Sequence, residues 1–491
     1  MKRYAVIGGG LGGLSAALHL SRRPDTHIDL FETAAVCGGK AGTLSLDGFR
    51  FDTGPTLFTM DFVLRDLFHA LGENMGDWLT LRPLDVSCAY HYPDGTVFTA
   101  YSAEERLVEE TERVFGVEPR RFRRYIAYSR TIFDLVKDLF LFRSFHEPDM
   151  LFDSDLREAG RHFSRIDPFR TMHGANRSFF RDPRLVQYLD RYATFNGSSP
   201  FRAPATLNII HYVEQFGSSV PQGGIRSIPD ALIRLCGKRG VTLHTGIEVE
   251  RIQREGRTVR GIRAGGRDRE YHAVISNCDV RTTYERLLDV RWTPGALKYR
   301  LAEPSSSALV FFWGVQKESG LGTHTILFSA NYRAEFRDLF SRLRVPADPT
   351  VYLYVSKRIS PADSPAGCEN WYVMLNAPRC RGQNWTNTVA AARAIVVRKI
   401  KERLGIDLTG RILCERVHTP RDIWRDTHSY WGSLYGLSSN GKTAAFLRQG
   451  NRSWYFRNLY FCGGSAHPGG GIPLTLLSGK ITADLVEKYN G

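Results

Sequence analysis

No stretch of this 491-residue chain stays apolar and uncharged for the roughly 18 residues that a membrane-crossing helix needs. The densest apolar run, Ala308 to Val315, has the length and β-former content of a buried strand. No low-complexity tract and no repeat of solenoid period occurs. None of the eight cysteines stands in a CxxC pair, and they are scattered along the chain. That fits reduced thiols in the cytoplasm rather than a disulfide framework. Also missing are G-x-S-x-G, H-E-x-x-H and any local Cys/His pairing, so neither a nucleophile elbow nor a metal site is expected. Zinc-finger spacing and a basic region followed by heptads are absent, which argues against nucleic acid as the partner of a chain with net charge +15. An anionic membrane surface is the other partner such a charge suits.

What is present is ordinary globular material. Hydrophobic residues make up 42% and charged residues 24%, too apolar for disorder, and the length calls for at least two domains. The first distinctive stretch is "AVIGGGLGGLSAALHL", Ala5 to Leu20. It does not read as a secretion signal, because His19, Arg22 and Arg23 stand where a small-residue cleavage site belongs. "RYAVI" reads as a short buried strand and "LSAALHLSRR" as a helix. Between them Gly8, Gly10 and Gly13 spell G-x-G-x-x-G, with Gly12 inside the motif. In a strand–turn–helix these glycines permit the tight turn, the approach of a pyrophosphate and close helix packing. The phosphate then meets free N–H groups at the helix N-terminus. "HIDLFE" reads as a second strand ending in Glu32, 24 residues after Gly8. A carboxylate there meets the ribose hydroxyls of an adenine dinucleotide and disfavours the 2′-phosphate of NADP.

The segments that follow carry a resemblance. "CGGKAGT", Cys37 to Thr43, and "GFRFDTGPT", Gly48 to Thr56, resemble the extended signature of the amine-oxidase-like flavoproteins. The resemblance implies FAD as cofactor, with Gly38, Gly39 and Lys40 along its phosphates and ribityl chain, and Gly54, Pro55 and Thr56 approaching the flavin. Near the other end, Asn458 to Val486 reads as a strand, a Gly/Pro-rich turn and a helix. Its Gly463, Gly464, His467, Pro468, Gly469, Gly471, Ile472 and Pro473 are similar to the segment that closes over the flavin in the carotenoid (phytoene) desaturase branch. Arg191 to Ile210 looks most like the hydroxyneurosporene desaturase type. Leu474 and Leu476 are bulkier than the small residues often found after the proline.

The fold class this implies is α/β. A Rossmann-like FAD-binding domain takes residues 1–80, 218–290 and 448–491. A discontinuous α+β substrate domain takes 81–104 and 291–447, with "TVYLYVS" and "NWYVMLNAP" as an antiparallel pair. A helical, membrane-facing part takes 105–217. Within it, Arg120 to Phe145 has Phe122, Ile126, Phe133, Val136 and Phe140 near helical spacing with basic residues between. That pattern suits either an interfacial helix or a lid packed on the protein's own core.

The implied activity is insertion of C=C bonds into a long apolar polyene by hydride transfer to the flavin; the resemblance leaves the final electron acceptor open between oxygen and a quinone. The implied place is the inner face of the cell membrane. Proton acceptors or cation stabilisers would be Asp52, Glu214, Asp279 or His467, each of which has an equally good structural reading as a cap, an ion-pair partner or a loop shaper. A related saturase or isomerase shares the cofactor frame, and a flavin-free prenyl carrier shares the fold. The intact glycine loop, Glu32 and Gly38-Gly39-Lys40 speak against the carrier.

Overall fold

The computed structural model describes residues 1–147, 163–215, 217–441 and 448–491. The stretch 148–162 of the helical segment and the junction placed at 447 therefore lie outside the described residues. Among the described residues, five parallel strands form one sheet in the order Leu459–Phe461, Ala273–Ser276, Lys2–Ile7, Thr26–Glu32 and Thr242–Thr245. Three separate stretches of chain thus meet in a single sheet. Alternate residues of its strands serve two different cores. Tyr4, Val6, Ile28, Leu30 and Ile275 pack under the helices Leu11–Leu20, Ser227–Lys238 and Ile472–Asn490. Ala5, Ile7, Phe31 and Val274 face a three-stranded antiparallel sheet, Val249–Glu255, Thr258–Ala264 and Arg267–Glu270. Burial of both faces is what a parallel sheet requires.

A seven-stranded sheet forms the second body, in the order Ile412–His418, Ser307–Val315, Glu369–Ala377, Val351–Val355, His324–Leu327, Val86–His91 and Val97–Tyr101. All nine residues of Ser307–Val315 are buried. Val351–Val355 and Glu369–Ala377 are the antiparallel pair read from the sequence. Strand periodicity sorts this sheet's side chains as well. Leu309, Phe311, Trp313, Leu353, Val373 and Leu375 pack against the helix Trp385–Leu404. The opposite face, with Val310, Phe312, Ile326, Tyr352, Tyr372 and Met374, is the floor of a cavity.

For the helix Pro119–Val136 the sequence left two readings open, and the packing is that of a helix set on the protein's own core. Its apolar side is turned inward: Phe122 and Ile126 join a core around Tyr90 and Phe98, and Phe133 joins the core under the parallel sheet. Val136 is buried too, and Phe140, in the π-helical turn Lys137–Leu141 that follows, packs on the same core. These side chains are spent on the protein's own interior, so they do not form an apolar face for a bilayer. Arg120, Arg121, Arg123 and Arg124 point outward and are exposed. Among the described residues no helix is long and apolar enough to cross a membrane.

Candidate active site

The groove begins where the strands Lys2–Ile7 and Thr26–Glu32 end and the helix Leu11–Leu20 starts. That helix makes its first i→i−4 bond from Leu14 N to Gly10 O, 3.0 Å. The N–H groups of Leu11, Gly12 and Gly13 therefore have no helical acceptor, and the helix has no acidic residue in its first turn. The positive end of its dipole is left open to an anion. A Cβ on Gly13 would lie 2.1 Å from Gly8 O, so only glycine allows this turn.

Glu32 holds the turn in place. Its Oε2 accepts from Gly9 N at 2.7 Å, and its Oε1 accepts from Ala34 N at 2.9 Å. Asn277, at the end of the strand Ala273–Ser276, donates to Gly8 O at 3.1 Å. Gly38 N donates to Gly9 O at 2.8 Å and so draws the Gly38-Gly39-Lys40 loop against the first. Arg226 Nη1 secures that loop through Cys37 O at 2.8 Å. Lys40 is half-buried, and loss of water around its ammonium lowers it to about 8. It donates to Leu434 O at 2.7 Å and Ser433 O at 3.2 Å.

A cavity of about 870 Å³ runs on from this groove. Gly8, Gly10, Glu32, Gly38, Gly39 and Lys40 line it. So do Gly54, Pro55 and Thr56. The Gly/Pro-rich turn supplies Gly464, Pro468, Gly471, Ile472 and Pro473. Gly12, Gly13 and Gly463 stand behind the wall, where a Cβ on Gly12 would come 2.8 Å from Gly463 N. Beyond the groove the walls turn apolar, with Leu57, Met60, Ile210, Val213, Phe312 and Ile326.

The four acid–base candidates fall in different places. Asp279 lines the cavity and caps the turn Val280–Thr282 by accepting from Arg281 N at 2.9 Å; burial raises its carboxyl. Glu214 also lines the cavity, accepts from the Tyr192 hydroxyl and lies 3.5 Å from Arg191. Asp52 is fully buried away from the cavity walls, held by Arg50 at 3.0 Å and the Tyr354 hydroxyl at 3.3 Å. His467 is likewise not part of the wall. Its Nε2 meets Arg143 O at 3.0 Å and Phe140 packs edge-on against its ring. Burial, with His146 nearby, pushes the His467 imidazole down to about 3, so it stays neutral at any pH near 7.

Several residues of the site were not singled out from the sequence. Asn277 follows a strand that touches the glycine loop only in the fold. Arg448, fully buried, donates to Tyr435 O at 3.0 Å, Leu437 O at 3.0 Å and Asn196 Oδ1 at 2.9 Å, tying three loops around the cavity. Arg191, His324 and Tyr352 come from strands and turns far apart in the chain.

This geometry has a match in known proteins. The model of the flavin containing amine oxidoreductase family matches residues 11–310. The chain belongs to that family. It is 39% identical to the 1-hydroxycarotenoid 3,4-desaturase of Flavobacterium sp. (strain P99-3), over 100% of both chains. It is 30% identical to the 4,4'-diaponeurosporene oxygenase of Staphylococcus haemolyticus (strain JCSC1435), over 99% of this chain and 97% of that protein. Among solved structures, an oxidoreductase from Methanosarcina mazei superposes with a TM-score of 0.66 at 17% identity, covering 99% of this chain and all of the other. The protein is thus a flavin-dependent oxidoreductase with FAD as its cofactor. The groove suits that molecule: a carboxylate at Glu32 for ribose hydroxyls, an uncapped helix N-terminus for pyrophosphate, and backbone of two glycine loops close enough to line it.

Proposed function

We propose that this flavoprotein desaturates an acyclic carotenoid of the phytoene or neurosporene type, or a hydroxylated derivative, introducing C=C bonds into the chain. The observation that carries this reading is the continuity of the cofactor groove with a long apolar cavity. Bound in the groove, FAD supplies a two-electron acceptor for a hydride. The chain's part is to hold a chain-like hydrocarbon in register against that groove and to keep water out. Val310, Phe312, Ile326 and Met374 provide the flat, dry floor of the seven-stranded sheet. Positive charge left on a conjugated chain is spread over many carbons, so the site needs no strong base beside the reacting bond. The neutral His467 and the capping role of Asp279 agree with that economy of acid–base groups. The carotenoid desaturase and oxygenase names of the full-length relatives support the substrate class.

The reading extends to where the substrate is met. An acyclic carotenoid resides in a bilayer, and Arg120, Arg121, Arg123 and Arg124 offer a basic face to anionic headgroups. The protein then works as a peripheral membrane enzyme.

Anaerobic mixing of the purified holoenzyme with liposome-dispersed carotenoid tests the activity. Bleaching of the flavin spectrum with a shift of the polyene absorption to longer wavelength is the expected result. A flavin spectrum unmoved by phytoene, neurosporene and their hydroxylated forms sinks the desaturase reading and returns the saturase or isomerase.

A further inference from the structure

The apolar cavity has a polar wall that the proposed chemistry does not use. Arg191 opens the short helical turn Arg191–Asn196 and is 8% exposed. Its guanidinium carbon sits 5.1, 4.6 and 5.0 Å from the ring centres of Tyr90, Tyr192 and Phe195. Glu214 lies 3.5 Å away, yet Arg191 Nε and Nη2 make no hydrogen bond among the described residues. His324, 3% exposed, reaches the same cavity from the seven-stranded sheet. Its Nδ1 is engaged with the Tyr352 hydroxyl at 2.6 Å, and that hydroxyl with Thr56 Oγ1 at 2.5 Å. Its Nε2 has no hydrogen-bond partner among the described residues. Among the described residues the Tyr332 hydroxyl, which also lines the cavity, has none either.

Buried polar groups without partners each cost about 1–3 kcal/mol. A cavity built for a pure hydrocarbon would replace them with apolar side chains. Arg191, His324 and Tyr332 all line the cavity and each keeps a buried polar atom with no hydrogen bond among the described residues, which marks a place where a ligand brings hydrogen-bonding atoms. The charge balance selects the kind of group. Glu214 offsets Arg191, so an anionic ligand end would meet a neutralised site and a buried carboxylate. A hydroxyl suits it better, since it both donates and accepts. Arg191 offers N–H donors, and the imidazole of His324 offers its remaining nitrogen.

We propose that Arg191, His324 and Tyr332 form a subsite that recognises a hydroxyl group at one end of the polyene and thereby sets substrate choice. The inference rests on the carotenoid reading above. Thr56 belongs both to the wall near Gly54 and Pro55 and, through Tyr352, to this network, so the polar subsite is physically tied to the cofactor side of the cavity.

The test compares an acyclic carotenoid bearing one terminal hydroxyl with the same chain lacking it, using the holoenzyme. Binding is read by quenching of protein fluorescence and turnover by the kcat and KM of each substrate. The parent enzyme should favour the hydroxylated chain by at least about a hundredfold in kcat/KM, as sites built to hydrogen-bond a substrate do. His324→Phe, and Arg191→Met combined with Glu214→Gln so that no lone charge is left buried, should each cut that preference by about tenfold or more, chiefly through KM. Retained flavin absorbance shows that the variants have folded. Preferential binding of the hydroxylated chain without turnover keeps the subsite and sinks the desaturase reading. Turnover of both chains at equal kcat/KM, or variants that leave a preference intact, overturns the subsite.

Discussion

The backbone N–H of Gly9 donates to the carboxylate of Glu32 across 2.7 Å, joining the tip of the first turn to the end of the second strand. One residue therefore both shapes the glycine loop and offers a carboxylate to the cofactor's ribose. Glu32→Ala removes both functions. A charge-assisted bond to a backbone N–H is worth about 1.5–3 kcal/mol, so FAD affinity should fall by roughly ten- to a hundredfold. Titration of apoprotein with FAD measures it, and an unchanged affinity would refute the role.

Gly13→Ala tests the turn itself. The added methyl would meet Gly8 O at 2.1 Å, far inside contact distance. The helix Leu11–Leu20 must shift, at a cost of about 1–3 kcal/mol by the usual penalty for overpacking. The purified variant should carry much less flavin per protein and melt earlier than its parent.

Buried His211 gives a pH prediction. Among the described residues neither of its ring nitrogens has a hydrogen-bond partner, and its neighbours include Phe122, Tyr125 and Tyr192. Burial, with a smaller push from Arg191, lowers its imidazole to about 3. The unfolded ring titrates near its ordinary value of about 6.5. Between these values the unfolded chain binds the extra proton, so this group makes folding stability rise with pH up to about 6.5 and level off above it. His211→Phe removes that dependence. Relative to its parent, the variant should gain about 2 kcal/mol as the pH falls from about 7 to about 5. Denaturant melts at the two pH values check it, and a pH-independent difference would show that the ring titrates normally in the fold.

The arginine face of the helix Pro119–Val136 makes membrane binding measurable. Replacing Arg120, Arg121, Arg123 and Arg124 with glutamine should weaken partitioning onto phosphatidylserine vesicles by about fivefold per residue. The parent's binding should fall with added salt. Sedimentation with vesicles reads both effects. A parent protein indifferent to anionic lipid would move the docking surface elsewhere.

How much of this was legible in the sequence depends on range along the chain. The glycine loop, Glu32 and the strand–helix pairs around them are written in a few dozen consecutive residues, and periodicity is enough to read them. The antiparallel pair Val351–Val355 and Glu369–Ala377 was readable for the same reason, since a Pro/Gly-rich connection joins two β-rich runs. The helix at 119–136 shows the limit. Its spacing of aromatics announces an apolar face, but the partner of that face is Tyr90, Phe98 and Phe180, which no local pattern reveals. Arg191 and His324 were invisible as a pair because 132 residues separate them; Arg191 opens a stretch that carries the family resemblance, but nothing local joins it to a histidine in an ordinary strand. His467 was misleading in the opposite direction: a histidine inside a cofactor-like motif suggests proton transfer, while its burial keeps it neutral and its hydrogen bond turns it to Arg143.

Ser15 donates its hydroxyl to Leu476 O at 2.7 Å, across 461 residues. Beside it, Gly479 presses against the first helix so closely that a Cβ there would stand 2.5 Å from Gly12 O. The groove at Gly8 is therefore roofed by a segment that emerges from the ribosome almost a whole chain later. During synthesis the strand Lys2–Ile7 waits for its neighbour Ala273–Ser276, which in turn waits for Leu459–Phe461, and the groove waits for the Gly464–Pro473 turn. Such long-range closure is slow and leaves apolar surface open meanwhile. The groove is therefore incomplete until the helix Ile472–Asn490 has docked on the helix Leu11–Leu20.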